Sequence, residues 1–136
     1  MIQVKDIVKS FEGNVVLDHV SADFEDGKVN MIIGQSGSGK TVLMKSMIGL
    51  HTIDAGQIIF DTRNGQENLA TMREKEVRML HREVGMLFQG AALFDSMTVQ
   101  ENVMYPLEMF SDMSHEQMVE RARFCLQRVD MPERAF

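Results

Sequence analysis

Hydrophobic and polar positions alternate, with interruptions, in "IQVKDIV" at 2–8 and "VVLDHVSADF" at 15–24, which predicts two half-buried strands. "EDGK" at 25–28 then predicts a tight turn, so an antiparallel lobe comes first. The apolar run "VNMII" at 29–33 predicts a short strand. From Lys40, "KTVLMKSMIGL" predicts a helix with Val42, Leu43, Met47 and Ile48 on one side. "GQIIFD" at 56–61 is a further strand candidate, and Asn64-Gly65 behind it predicts a reversal of the chain.

Thr71 followed by Glu74 is a capping-box pattern and predicts a helix running to about Arg82, with Val77 and Leu80 inward. "VGMLFQ" at 84–89 predicts a buried strand. Beyond it the pattern turns helical. Thr98 with Glu101 and Ser114 with Gln117 are two more capping boxes, and the second leads into a helix with Met118, Val119, Ala122, Leu126 and Val129 on its apolar side. That helix is expected to stop before Pro132.

Composition narrows the picture. The 136 residues, 44% of them hydrophobic, are enough for one cored unit, with no internal repeat. The net charge of -6 is spread along the chain, so an extended nucleic-acid footprint is not expected, although a local phosphate site is compatible with it. No apolar run approaches the roughly 20 residues needed to span a bilayer, and the N-terminus has no signal-peptide core. The chain therefore reads as soluble. The lone Cys125 lacks a disulfide partner, fits a reducing cytosol and reads as a packed thiol. The 13 methionines are scattered through strand and helix candidates alike and read as core filling.

The chemistry is concentrated in "IIGQSGSGKT", Ile32 to Thr41. Gly34, Gly39, Lys40 and Thr41 satisfy the phosphate-loop spacing G-x-x-x-x-G-K-[ST], with a predicted strand before and a helix after. In the loop Gly34, Gln35, Ser36, Gly37, Ser38, Gly39 the glycines let backbone N–H groups reach phosphate oxygens, and the helix N-terminus adds partial positive charge. Lys40 would neutralise the terminal phosphates of ATP, and Thr41 would place its hydroxyl on Mg2+.

The stretch from Val8 to Phe60, "VKSFEGNVVLDHVSADFEDGKVNMIIGQSGSGKTVLMKSMIGLHTIDAGQIIF", resembles the first half of the nucleotide-binding subunits of ABC transporters. That resemblance implies that Phe11 stacks on adenine. It also implies that Gln89, in "LFQG", is the glutamine that contacts magnesium and moves with a transmembrane permease. The segment "FQGAALFDSMTVQENVMYPLEM", Phe88 to Met109, is most similar to the Mla-type, MCE-associated ATPases, which implies transport of phospholipid or another hydrophobic substrate. The implied fold class is α/β: a P-loop NTPase core with an N-terminal antiparallel β lobe over residues 1–90, and a partial helical subdomain over 91–136. The implied place is the inner face of the cell membrane. The implied partners are the permease and, in the full-length protein, a second copy bound head to tail. The region between Gln89 and Leu107 would form part of the cleft that receives a permease coupling helix, with Phe94 and Met97 as its exposed contacts.

A hydrolysing member of that family also needs an LSGGQ-like signature, a strand ending in Asp-Glu and a switch histidine. None can be assigned here: Asp61 is followed by Thr62, and His19, His51, His81 and His115 read as surface or turn residues. The sequence therefore reads as the N-terminal part of a truncated domain with no catalytic residue of its own. The alternative from another class is a noncatalytic fragment that binds nucleotide or docks on a permease. A stand-alone P-loop kinase would need an arginine-rich lid, and the arginines of "MVERARFCLQR" at 118–128 have the helical spacing of a solvated face.

Overall fold

In a computed structural model, residues 1–62, 65–90 and 92–131 are described. The elements are β1 (Ile2–Phe11), β2 (Asn14–Phe24), α1 (Lys40–Met47), β3 (Ala55–Thr62), β4 (Gly65–Asn68), α2 (Glu74–Leu80), α3 (Val99–Phe110) and α4 (His115–Gln127). The four strands form one antiparallel sheet in the order β2-β1-β3-β4. The chain divides into two compact units, Met1–Met86 and Leu87–Phe136.

The interruptions in the strand pattern have a structural cause. Val4 and Ile7 are both buried although three residues apart, a spacing that strict alternation forbids. Asp6, at φ 52°, supplies the extra bulge residue, and the pairing register shifts between Val4 and Ile7. In β2 the bulge residue is His19, at φ 49°. The two meet: His19 Nδ1 lies 2.8 Å from Asp6 Oδ1. Gly56 crosses beneath the β1 bulge at φ 91°, where a Cβ would stand 2.4 Å from the Asp6 carbonyl oxygen. Only glycine fits that crossing.

One face of this sheet buries Val4, Ile7, Leu17, Ile58 and Phe60 against Leu43 and Met47 of α1, closed by Leu69 and Leu80. Gly49, at φ 75°, ends α1 in the left-handed conformation that lets the Leu50 N–H return to the Lys45 carbonyl.

Four expectations are corrected. Neither 29–33 nor 84–89 forms a strand. A strand exists only through a ladder, and among the described residues neither segment finds one. Several of their apolar side chains stand open instead, Val29 at 94%, Ile33 at 83% and Leu87 at 91% exposure, while Ile32 and Val84 pack against the core. The third correction concerns Thr71, which does not cap a helix. Its hydroxyl donates to the Asn68 carbonyl and closes a 3-10 turn, Leu69–Thr71. The helix starts later, at Glu74, where the Glu76 carboxylate accepts from the Arg73 backbone N–H at 2.7 Å. It ends at Leu80, close to the expected Arg82, with backbone bonds from His81 and Arg82 continuing the last turn. Fourth, α4 ends at Gln127, which leaves Val129 exposed beyond it. Asn64, Ala91 and Pro132, which carried parts of the sequence reading, lie outside the described residues.

In the second unit the capping boxes form as expected. Thr98 Oγ1 accepts from the Glu101 N–H, and Glu101 returns the bond to the Thr98 N–H at 2.7 Å, which holds its carboxyl below the usual value. Ser114 and Gln117 repeat the arrangement at α4. Cys125 is half-buried on α4.

Candidate functional site

The phosphate-loop motif folds into a cradle at the head of α1. Gly37 and Gly39 adopt φ 79° and 88°, left-handed values that side chains resist. At Gly39 a Cβ would come within 3.0 Å of the Val16 carbonyl oxygen and 3.2 Å of Leu17, so glycine lets the start of α1 sit against β2. At Gly34 a Cβ would meet Ser38 Oγ at 2.8 Å, so glycine there lets the loop close on itself.

Gly39 is the N-cap of α1 and has no side chain to offer. No acidic residue occupies the first turn either. The first N–H groups of the helix and its partial positive charge therefore face outward without a capping group, the arrangement that receives an anion. Lys40 Nζ donates to the carbonyl oxygens of Gly34 at 2.8 Å and Gln35 at 2.6 Å, folding the ammonium across the mouth of the loop. Thr41 is exposed beside it. Backbone donors, an ammonium and a hydroxyl suit a magnesium-bound polyphosphate. Among the described residues no cluster of His, Cys, Asp and Glu makes an all-protein metal site. A metal here would therefore draw on Thr41 and the phosphates themselves.

Phe11 closes β1, and its ring is 39% exposed. Two side chains that the sequence does not assign to a site flank it. His51 meets it edge-on, with centroids 5.3 Å apart and planes at 77°, and Lys9 Nζ lies 5.2 Å from the ring centre. Lys9 also binds Asp54 Oδ1 at 3.0 Å, and the Ser10 N–H donates to Asp54 Oδ2 at 2.6 Å. These contacts hold the Asp54 carboxyl below its ordinary value, Lys9 contributing most. His51, read as a surface or turn residue, lies in a bend and is half-buried beside Phe11. No local spacing signals this, because His51 and Phe11 are forty positions apart and meet only through the sheet.

Gln89 is exposed and lies in irregular chain rather than at a strand end, within the second unit. The structure thus gathers Gly34, Gln35, Ser36, Gly37, Ser38, Gly39, Lys40 and Thr41 into one loop and the first turn of α1, with Phe11 in the same unit. In the second unit Phe94 tilts onto Tyr105, with centroids 4.8 Å apart and planes at 58°, and Met97 is half-buried. No helix among the described residues is long and apolar enough to cross a membrane.

Comparison with known proteins matches residues 17–135 to the ABC transporter family. The phosphonates import ATP-binding protein PhnC of Fusobacterium nucleatum is 31% identical over 144 residues, covering 100% of this chain and 56% of that protein. The methionine import ATP-binding protein MetN of Clostridium tetani is 32% identical over 136 residues, covering 99% and 41%. Among solved structures, the dimeric ATP-binding cassette MJ0796 bound to ADP and Pi superposes with a TM-score of 0.85 at 26% identity, covering 98% of this chain and 59% of that one. The chain therefore spans about half the length of the relatives it matches. These relatives are named for phosphonates and methionine and lend no support to the expected lipid substrate. The match over most of the chain, with the phosphate cradle inside it, shows that this protein belongs to the ABC transporter family, as part of its ATP-binding domain.

Proposed function

We propose that the chain is the nucleotide-binding portion of an ATP-hydrolysing subunit that energises an ABC transporter. Gly34 to Thr41 hold the phosphates, Thr41 and Gln89 reach Mg2+, and Phe11 stacks on adenine. Residues 1–90 form the ATP-binding core and 91–136 the start of the helical subdomain. The observation that carries the reading is the Lys40 ammonium, held by two loop carbonyls at the uncapped head of α1. Bound MgATP supplies the energy of phosphoanhydride cleavage; the loop binds and orients the phosphates, and Lys40 offsets their charge.

The test is calorimetric titration of MgATP into the protein and into Lys40→Ala. The variant is expected to lose more than the ~1 kcal/mol of an ordinary exposed ion pair, because a charge-assisted contact to phosphate disappears. Equal affinities in two folded proteins would end the assignment.

The full-length subunit works on this reading as a head-to-tail pair on a permease, at the inner face of the cell membrane. For the cargo, the segment Phe88–Met109 supports a phospholipid or another hydrophobic molecule. The names of PhnC and MetN support a second reading, import of a small polar solute. Reconstitution with the permease separates the two by whether phospholipid or a small solute stimulates ATP hydrolysis.

A further inference from the structure

The surroundings of Phe11 go beyond a ring at the end of a strand. The loop from Leu50 to Asp54 is tied down at both ends. At one end the Leu50 and His51 N–H groups donate to the Lys45 carbonyl at 2.9 and 3.3 Å, anchoring the loop to the last turn of the phosphate-loop helix. At the other, the Asp54 N–H donates to the Val8 carbonyl at 2.8 Å, while its carboxylate accepts from the Ser10 N–H and from Lys9. Between these anchors His51 stands nearly perpendicular to the Phe11 ring, and Lys9 Nζ lies over it. The Lys9 side chain is only 12% exposed, so its ammonium is held rather than free to sweep the surface.

A flat ring at a strand end swings about its side-chain torsions, and fixing it before a base arrives lowers the entropy lost on stacking. A cation over one face holds that face by attraction to the ring's quadrupole. A perpendicular imidazole limits rotation in the other direction. With both contacts in place Phe11 keeps 39% exposure, which leaves it accessible to a ligand.

We infer that residues Leu50–Asp54 form a clasp that presets the Phe11 ring for a nucleobase, with Lys9 and His51 as positioning residues and Asp54 as the latch. The clasp also ties the base platform to the phosphate cradle, because both hang from α1. This inference rests on the reading of Phe11 as the base-stacking residue.

The experiment compares two ligands, MgATP and magnesium tripolyphosphate, which shares the phosphates and lacks the base. Affinities are measured for the full-length protein and for Phe11→Ala, Lys9→Met, His51→Leu and Lys9→Arg, with melting temperatures alongside. Lys9→Met and His51→Leu are each expected to weaken MgATP by about threefold to tenfold, the scale of one aromatic or cation contact, and to leave tripolyphosphate unchanged. Lys9→Arg, which keeps both the Asp54 bond and the ring contact, is expected to restore MgATP affinity. If both ligands weaken equally, or if MgATP is unaffected while Phe11→Ala weakens it, the clasp is overturned and the stacking role of Phe11 stands or falls separately. If Phe11→Ala itself leaves MgATP affinity unchanged, the stacking reading fails and the clasp fails with it.

Discussion

Asn102 clasps the backbone of Phe94: its Oδ1 accepts from the Phe94 N–H at 2.8 Å, and its Nδ2 donates to the Phe94 carbonyl at 3.1 Å. The same amide nitrogen reaches the carbonyls of Met97 and Thr98 at 3.2 and 3.0 Å. One side chain in the first turn of α3 therefore shapes the loop that leads into the helix. Phe94, 46% exposed and supported by Tyr105, is presented by that loop.

This arrangement separates docking from folding. In the full-length protein Phe94→Ala is expected to weaken permease association by about 2 kcal/mol, the cost of truncating an aromatic anchor, with ATP affinity and melting temperature unchanged. Asn102→Ala is expected to lower stability by about 1 to 3 kcal/mol, because several backbone groups lose their partner at once. Pull-down with the permease and chemical denaturation check the two. Collapse of stability in Phe94→Ala would return that ring to the core.

Gly56 tests the bulge. Placing a Cβ 2.4 Å from the Asp6 carbonyl oxygen forces the two strands apart, and alanine also resists φ 91°. Gly56→Ala is expected to destabilise the protein by about 2 to 4 kcal/mol in urea unfolding. A loss below about 0.5 kcal/mol would show that β1 and β3 separate there at little cost.

The Asp6–His19 pair links the bulges to pH. The hydrogen bond with Asp6, and then its charge, raise the His19 pKa above the ordinary 6.5. A group raised on folding stabilises the protein fully below its unfolded pKa, and that contribution is lost as pH rises through the folded value. NMR titration of the imidazole is expected to show a midpoint above 6.5 that falls back in Asp6→Asn. A wild-type midpoint at or below the ordinary value would contradict the contact.

Binding and turnover are expected to separate in the 136-residue chain, which has no LSGGQ-like run and no Asp-Glu pair. A phosphate-release assay should show negligible hydrolysis. Substantial turnover that vanishes in Lys40→Ala would point to an overlooked carboxylate, with Glu83 and Glu101 the first to replace.

What the sequence by itself determined is local. Gly37 and Gly39 are needed where φ is positive, Lys40 reaches back only five or six residues, and Thr98 and Ser114 cap the helices that start beside them. Each involves partners within one or two turns of chain, so residue type and spacing suffice. The tertiary structure decided whatever depends on a distant partner. Residues 29–33 and 84–89 have the composition of strands, but a strand needs a neighbour, and composition cannot say whether one is present. The Asp6 and His19 bulges show in the sequence only as broken alternation, and their placement follows from pairing β1 with β2. Phe11, His51, Lys9 and Asp54 come together because β1 pairs with β3 and α1 ends beside them, a juxtaposition that long-range backbone hydrogen bonds create and no short motif encodes.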